Sequence, residues 1–83
     1  MIGILYRRMI NVNFYDVLSL LINNPCGIKA RRKSWISRYK YIVKQLTENT
    51  NEPIIARYFS DINWKEYVPD SNDMLATDWE IVQ

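Results

Sequence analysis

The sequence predicts an α+β domain, with one N-terminal amphipathic helix packed on a small antiparallel sheet and a short helical turn near the C-terminus. Three observations predict it. An apolar stripe at helical spacing runs from Phe14 to Ile22, with a polar cap before it and a proline after it. Several later segments alternate or run apolar for four to six residues, the length of strands rather than helices. Polar, turn-forming stretches separate them.

The helix starts at Asn13, whose side chain can accept from the backbone of the first turn, and Asp16 places a carboxylate at the positive helix end. Phe14, Val17, Leu18, Leu21 and Ile22 follow at spacings of three and four, so they share one face. Asn23-Asn24-Pro25 stops the helix, because the residue before proline avoids helical angles, and Gly27 suits the turn that follows.

Residues 28–33 read as a strand, with Ile28, Ala30 and Arg32 on one face and Lys29, Arg31 and Lys33 on the other. A turn over 34–37 then presents Trp35. Residues 39–43 and 54–59 read as the next strands, separated by the polar stretch 47–53, and residues 61–64 read as a turn. Tyr67-Val-Pro69 is extended, Ser71 is expected to cap a helical turn over 72–76, and residues 79–82 form a last short strand. Trp79 begins that strand and is expected in the core or at an interface. Residues 1–12 are expected to be an N-terminal extension and 13–83 a single domain, since 83 residues leave room for one core.

Composition excludes several chemistries. The chain has no histidine, which removes the commonest general base, the commonest metal ligand and the usual partner of a nucleophilic Ser or Cys. The single cysteine, Cys26, cannot form an internal disulfide and lies beyond a helix end, where nothing except nearby Lys29 favours a thiolate. The only glycines are Gly3 and Gly27, so there is no phosphate-cradling glycine loop. Asp70 and Asp73 lack the alternation of a calcium loop, and no metal or cofactor is expected. No apolar run is long enough to span a bilayer, and the basic pair Arg7-Arg8 follows the N-terminal apolar stretch where a signal peptide would precede it. A cytoplasmic, non-enzymatic protein is expected.

What remains is a binding surface. Charges are segregated: no acid lies between Asp16 and Glu48, an interval holding Lys29, Arg31, Arg32, Lys33, Arg38, Lys40 and Lys44. From Asp61 onward the only base is Lys65. The opposite halves can attract each other within the fold or across subunits, or the basic interval can receive a phosphate-bearing ligand. Three Trp and six Tyr in so short a chain imply a compact aromatic core, a subunit interface or a stacking site. Arg31, Arg32 and Lys33 directly precede Trp35, which sets paired donors for phosphate beside a ring for a base. By alternation Arg32 points inward at its strand end and needs an anionic partner, with Asp73, Asp78 or a ligand phosphate as the candidates. Basic residues with interleaved Trp35, Tyr39 and Tyr41 also permit an alternative, a small nucleic-acid- or protein-interaction module. A net charge of only +2 does not demand nucleic acid.

Three blocks together carry a family resemblance: Asn13-Phe-Tyr-Asp-Val-Leu-Ser-Leu-Leu, then Arg32-Lys-Ser-Trp35, then Tyr67-Val-Pro69 followed by Asp73-Met-Leu-Ala-Thr-Asp-Trp-Glu-Ile-Val82. In this order they resemble the second Thoeris anti-defence family, over residues 13–82. The chain departs from the family pattern in residues 1–12, in Tyr67 where tryptophan is commoner, and in Pro25-Cys26 before the first strand. The resemblance implies a phage-encoded homotetramer in the cytoplasm of the infected bacterial host. Such a protein sequesters a cyclised ADP-ribose signal without cleaving it, and some relatives also hold cyclic oligonucleotides at a separate site. By position the resemblance implies Phe14, Arg32, Trp35, Tyr67, Ser71 and Asp73 as ligand-binding residues, with no catalytic residue.

Overall fold

The computed structural model describes residues 10–35 and 40–82. Most of the expected 1–12 extension therefore lies outside the described residues, as does the start of the strand expected at 39. Helix α1 spans Phe14–Asn23 and is capped as its sequence predicts, with Asn13 Oδ1 accepting from the Asp16 amide at 2.8 Å. Its last turn holds no basic residue of its own. Lys44 supplies the charge from the sheet, donating from Nζ to the carbonyls of Ile22 and Asn24 at 3.0 Å each. A cation is favourable there because the helix C-terminus carries partial negative charge. Gly27 turns the chain at φ 107°, a left-handed angle that a side chain would strain.

Five strands follow: β1 (Lys29–Arg32), β2 (Tyr41–Leu46), β3 (Pro53–Tyr58), β4 (Trp64–Glu66) and β5 (Trp79–Val82), with helix α2 (Ser71–Leu75) between the last two. The sheet is antiparallel throughout, in the order β4-β3-β2-β1-β5. The fold is α+β, as expected. Strand β2 runs on to Leu46 rather than ending near 43, because six cross-strand pairs from Tyr41↔Tyr58 to Leu46↔Pro53 draw its polar end into the ladder. A second difference is Trp64, which begins β4 instead of closing a turn. The turn comes earlier, closed by the Phe59 amide on the Asn63 carbonyl at 2.9 Å. All three residues of β4 are exposed, so the strand leaves no pattern of alternating burial in the sequence. The cap of α2 also differs: Asp70, not Ser71, accepts from the Asp73 amide, at 2.8 Å, and Ser71 is the first helical residue.

The core lies between α1 and one face of the sheet, where Phe14, Val17 and Leu21 meet Ala30, Ile42, Trp79 and Ile81. Trp79 is fully buried, as its place at the start of an apolar strand predicts. Val12 extends the sheet by a single bridge, exchanging both backbone hydrogen bonds with Trp79 at 3.0 and 3.2 Å. The opposite face carries a ladder of rings in register across three strands: Tyr41 stacks on Tyr58 at 4.9 Å, Trp64 follows at 6.3 Å, and Lys29 lies over Tyr41. No helix among the described residues is long and apolar enough to cross a membrane.

Candidate functional site

The segregated charges meet inside the fold. Strand β5 lies beside β1 in the register Arg31↔Glu80 and Arg32↔Trp79, which brings C-terminal acids to the basic strand. On the outer face Arg31 Nε donates to Glu80 at 2.9 Å. On the inner face Arg32 Nε donates to Asp78 Oδ1 at 2.9 Å, and its Nη1 stands 3.6 Å from Asp73 Oδ1. Both acids expected as partners of Arg32 are therefore its partners, and Arg32 points inward with Ala30 as alternation predicts. The Asp78 hydrogen bond foremost, helped by the charge of both acids, raises the Arg32 pKa above the ordinary arginine value.

Asp73 is the one buried charged residue among those described, and its remaining oxygen is also occupied. Oδ2 accepts from the Tyr67 hydroxyl at 2.7 Å, while the Asp73 backbone carbonyl accepts from Trp79 Nε1 at 3.0 Å. The result is a continuous chain, Tyr67–Asp73–Arg32–Asp78, that joins α2 to β1 and fixes the Tyr67 ring. Phe14 is buried at one end of it, with its ring 5.5 Å from Trp79 and 6.3 Å from Tyr67. Burial first, and then the hydrogen bond to Asp73, push the Tyr67 hydroxyl well above the usual tyrosine range. The folded state therefore keeps a proton that the unfolded chain loses above about pH 10. Stability is fully present below that pH and falls as pH rises beyond it. Urea midpoints measured across the alkaline range should show this fall, and Tyr67→Phe should flatten it. A remaining slope is expected from Tyr41, whose hydroxyl is shifted the same way by burial and by Asp61. An unchanged profile in Tyr67→Phe would show that this hydroxyl carries no such linkage.

Trp35 follows β1 in a tight turn, its amide donating to the Arg32 carbonyl at 2.9 Å. Its ring is half-buried, meeting Trp79 edge-on at 5.2 Å and 77°. The Arg57 guanidinium lies over the other part of this cluster, 3.7 Å from the Trp35 centroid and 5.0 Å from Phe59. Beside it opens a cleft of 260 Å³ lined by Arg57, Phe59, Lys65, Glu66, Tyr67 and Val68.

The structure thus brings Phe14, Arg32, Trp35, Tyr67 and Asp73 into one connected group at one end of the inner sheet face. Ser71 is exposed at the start of α2 and has no hydrogen bond to that group among the described residues. Of these residues, Tyr67 lines the cleft itself, Arg32 and Asp73 brace it, and Phe14 packs behind it. Sequence reasoning missed Arg57, Phe59 and Lys65. A signal for Arg57 was present: it interrupts the apolar run Ile54-Ile55-Ala56, and alternation puts it on the face of Ile55, which packs against the core. Lys65 lay in a strand with no apolar pattern.

A comparison with known protein families finds a match over residues 12–82 to the Thoeris anti-defense 2-like (Tad2-like) domain. Neither the curated proteins nor the solved structures contain a match.

Proposed function

From the premise that the chain belongs to the Thoeris anti-defense 2-like family, and so has a Thoeris anti-defence role, we propose that it binds and sequesters a cyclic ADP-ribose-type immune signal without cleaving it. The observation that carries this reading is the cleft beside Tyr67, where the rings of Phe59 and Tyr67 stand next to Lys65 and to Arg57, which lies over the Trp35 ring. Rings stack on a purine, and cations meet phosphate, so the cleft matches both halves of such a ligand.

The same residues suit capture better than turnover. The chain has no histidine, and the Tyr67 proton is committed to Asp73. Asp73 is committed to Tyr67 and Arg32 in turn. The Tyr67 hydroxyl, held this way, keeps its proton, which serves a rigid wall rather than a general base. The reading includes assembly as a homotetramer in the cytoplasm of the infected host, where exposed Tyr15, Ile22, Met74 and Leu75 offer apolar surface for subunit contacts.

The test is to incubate the purified chain with cyclised ADP-ribose, repurify it, release what is bound by heat and determine its mass. The intact cyclic molecule should be recovered, and native mass measurement should show a tetramer. Trp35→Ala should fold, because Trp35 is only half-buried, yet hold the ligand about 10-fold more weakly once Arg57 loses the ring it lies on. Recovery of a linear product would make the protein a hydrolase. Absence of capture would overturn the reading. The ring ladder Tyr41, Tyr58 and Trp64 favours the nucleic-acid alternative, in which case a single-stranded oligonucleotide should bind with steep salt dependence.

A further inference from the structure

The cleft contains a charge arrangement that the fold alone leaves unbalanced. Arg57 and Lys65 are direct cross-strand partners in the register of β3 and β4. Like charges facing each other across a sheet destabilise the pair unless something offsets them. No carboxylate among the described residues makes an ion pair with either. Glu66 lines the same cleft, but it pairs in register with Ala56, one position out of step with the two cations. Asp73 is already engaged by Tyr67 and Arg32.

The guanidinium is also placed in a way that packing only partly explains. Its contacts with Trp35 and Phe59 account for the flat faces. Its Nε is buried and has no hydrogen-bond partner among the described residues. A buried unpartnered donor on a charged group is costly, and an anion in the cleft would offset part of that cost through the charge of the guanidinium. Lys65, whose Nζ lies 5.4 Å from the centroid of the same Phe59 ring, would supply a second charge from the exposed edge strand. The contrast with Arg32 decides which arginine has capacity to spare. Two carboxylates surround Arg32, so that locus carries net negative charge, whereas Arg57 and Lys65 together carry two uncompensated positive charges.

We propose that Arg57 and Lys65, paired across β3 and β4 and backed by the Trp35 and Phe59 rings, form a seat for a phosphate or pyrophosphate group. Arg32 then acts as a positioning residue, holding Asp73 and through it the Tyr67 wall. The seat rests on the reading above only for the identity of the natural ligand, since its chemistry is that of any phosphate-bearing molecule that fits the cleft.

The test uses calorimetric titration of the purified chain with inorganic pyrophosphate, ADP-ribose and adenosine. Pyrophosphate and ADP-ribose should bind, with affinity falling as salt rises, and adenosine should bind far more weakly. Arg57→Gln should reduce pyrophosphate affinity about 10- to 100-fold, and Lys65→Gln should reduce it by a smaller factor. Asn49→Asp, on the exposed loop before β3 and outside the cleft, lowers the net charge by the same one unit, controls for general loss of positive charge and should bind normally. Should Arg57→Gln fail to fold, Arg57→Lys keeps the charge and loses the planar stack and paired donors, so weaker binding by the folded variant still reports the seat. Pyrophosphate binding that is absent, or equal in the wild type and in both the Arg57 and Lys65 variants, overturns the proposal. So does an Asn49→Asp loss as large as that of Arg57→Gln, which would indicate a diffuse field. Failure here separates cleanly from failure of the proposed function. Capture of cyclised ADP-ribose that is indifferent to Arg57 leaves that function standing without this seat. Arg57-dependent pyrophosphate binding without capture of the cyclic signal leaves the seat standing and removes the signal.

Discussion

Replacing Trp79 by alanine is expected to leave the chain largely unfolded at room temperature. The ring is fully buried and touches the two aromatic groups that organise its surroundings, Phe14 at 5.5 Å and Trp35 at 5.2 Å. Truncating a buried tryptophan costs about 3–5 kcal/mol through lost burial and the cavity left behind. The variant also leaves the Asp73 carbonyl without the indole donor that now reaches it at 3.0 Å, adding about 1 kcal/mol or more. Domains are stable by only about 5–15 kcal/mol, and one this small sits toward the lower end. The two losses together consume most of that margin. Guanidinium unfolding followed by far-ultraviolet circular dichroism checks this: the native baseline should be short or missing in Trp79→Ala. A midpoint equal to that of the wild type would show that the core is centred elsewhere.

Asp73→Ala is expected to be nearly as damaging, for an electrostatic reason. It removes a buried carboxylate and strands two groups at once, the Tyr67 hydroxyl and one side of the Arg32 guanidinium. Breaking a buried ion pair from one side typically costs about 3–5 kcal/mol, because the remaining charge stays desolvated without its partner. Here Asp78 still accepts from Arg32 Nε, which places the expected loss at the lower end of that range. Asp73→Asn should cost less, since an amide oxygen can still accept from Tyr67 while the charge is gone. The ordering wild type, Asn, Ala in urea midpoint is the expected result. Equal midpoints for the Asn and Ala variants would mean that the charge matters and the Tyr67 hydrogen bond does not. A smaller effect of Ala than of Asn would remove Asp73 from the bracing chain altogether.

These two residues also show how far the sequence could be read. Trp79 was assignable to the core because it opens a short apolar strand, and burial of such a strand is a local property. Arg32 was assignable inward by alternation, and its need for an acid followed from the cost of an unpaired buried charge. Helix α1 was readable from cap to stop because each signal lies within one turn of the residue it controls. Its C-terminal cation was not, because Lys44 reaches it from β2, some twenty positions away. Asp70 displaced Ser71 as the cap of α2 by one position, a shift between two residues that are both competent acceptors.

The sequence by itself determined the α+β class, the limits of α1, the inward face of β1, the absence of a histidine-based mechanism and, through three short blocks, the family. Each of these depends on neighbours in the chain or on composition. Only the tertiary structure decided that β5 lies beside β1, that Asp73 and Asp78 both meet Arg32, and that Arg57 and Lys65 face each other at a cleft with Trp35 beneath. The physical reason is that strand order and register are chosen by the burial of the whole sheet. A cross-strand neighbour is set by that global packing and leaves no mark on the residues next to it in sequence.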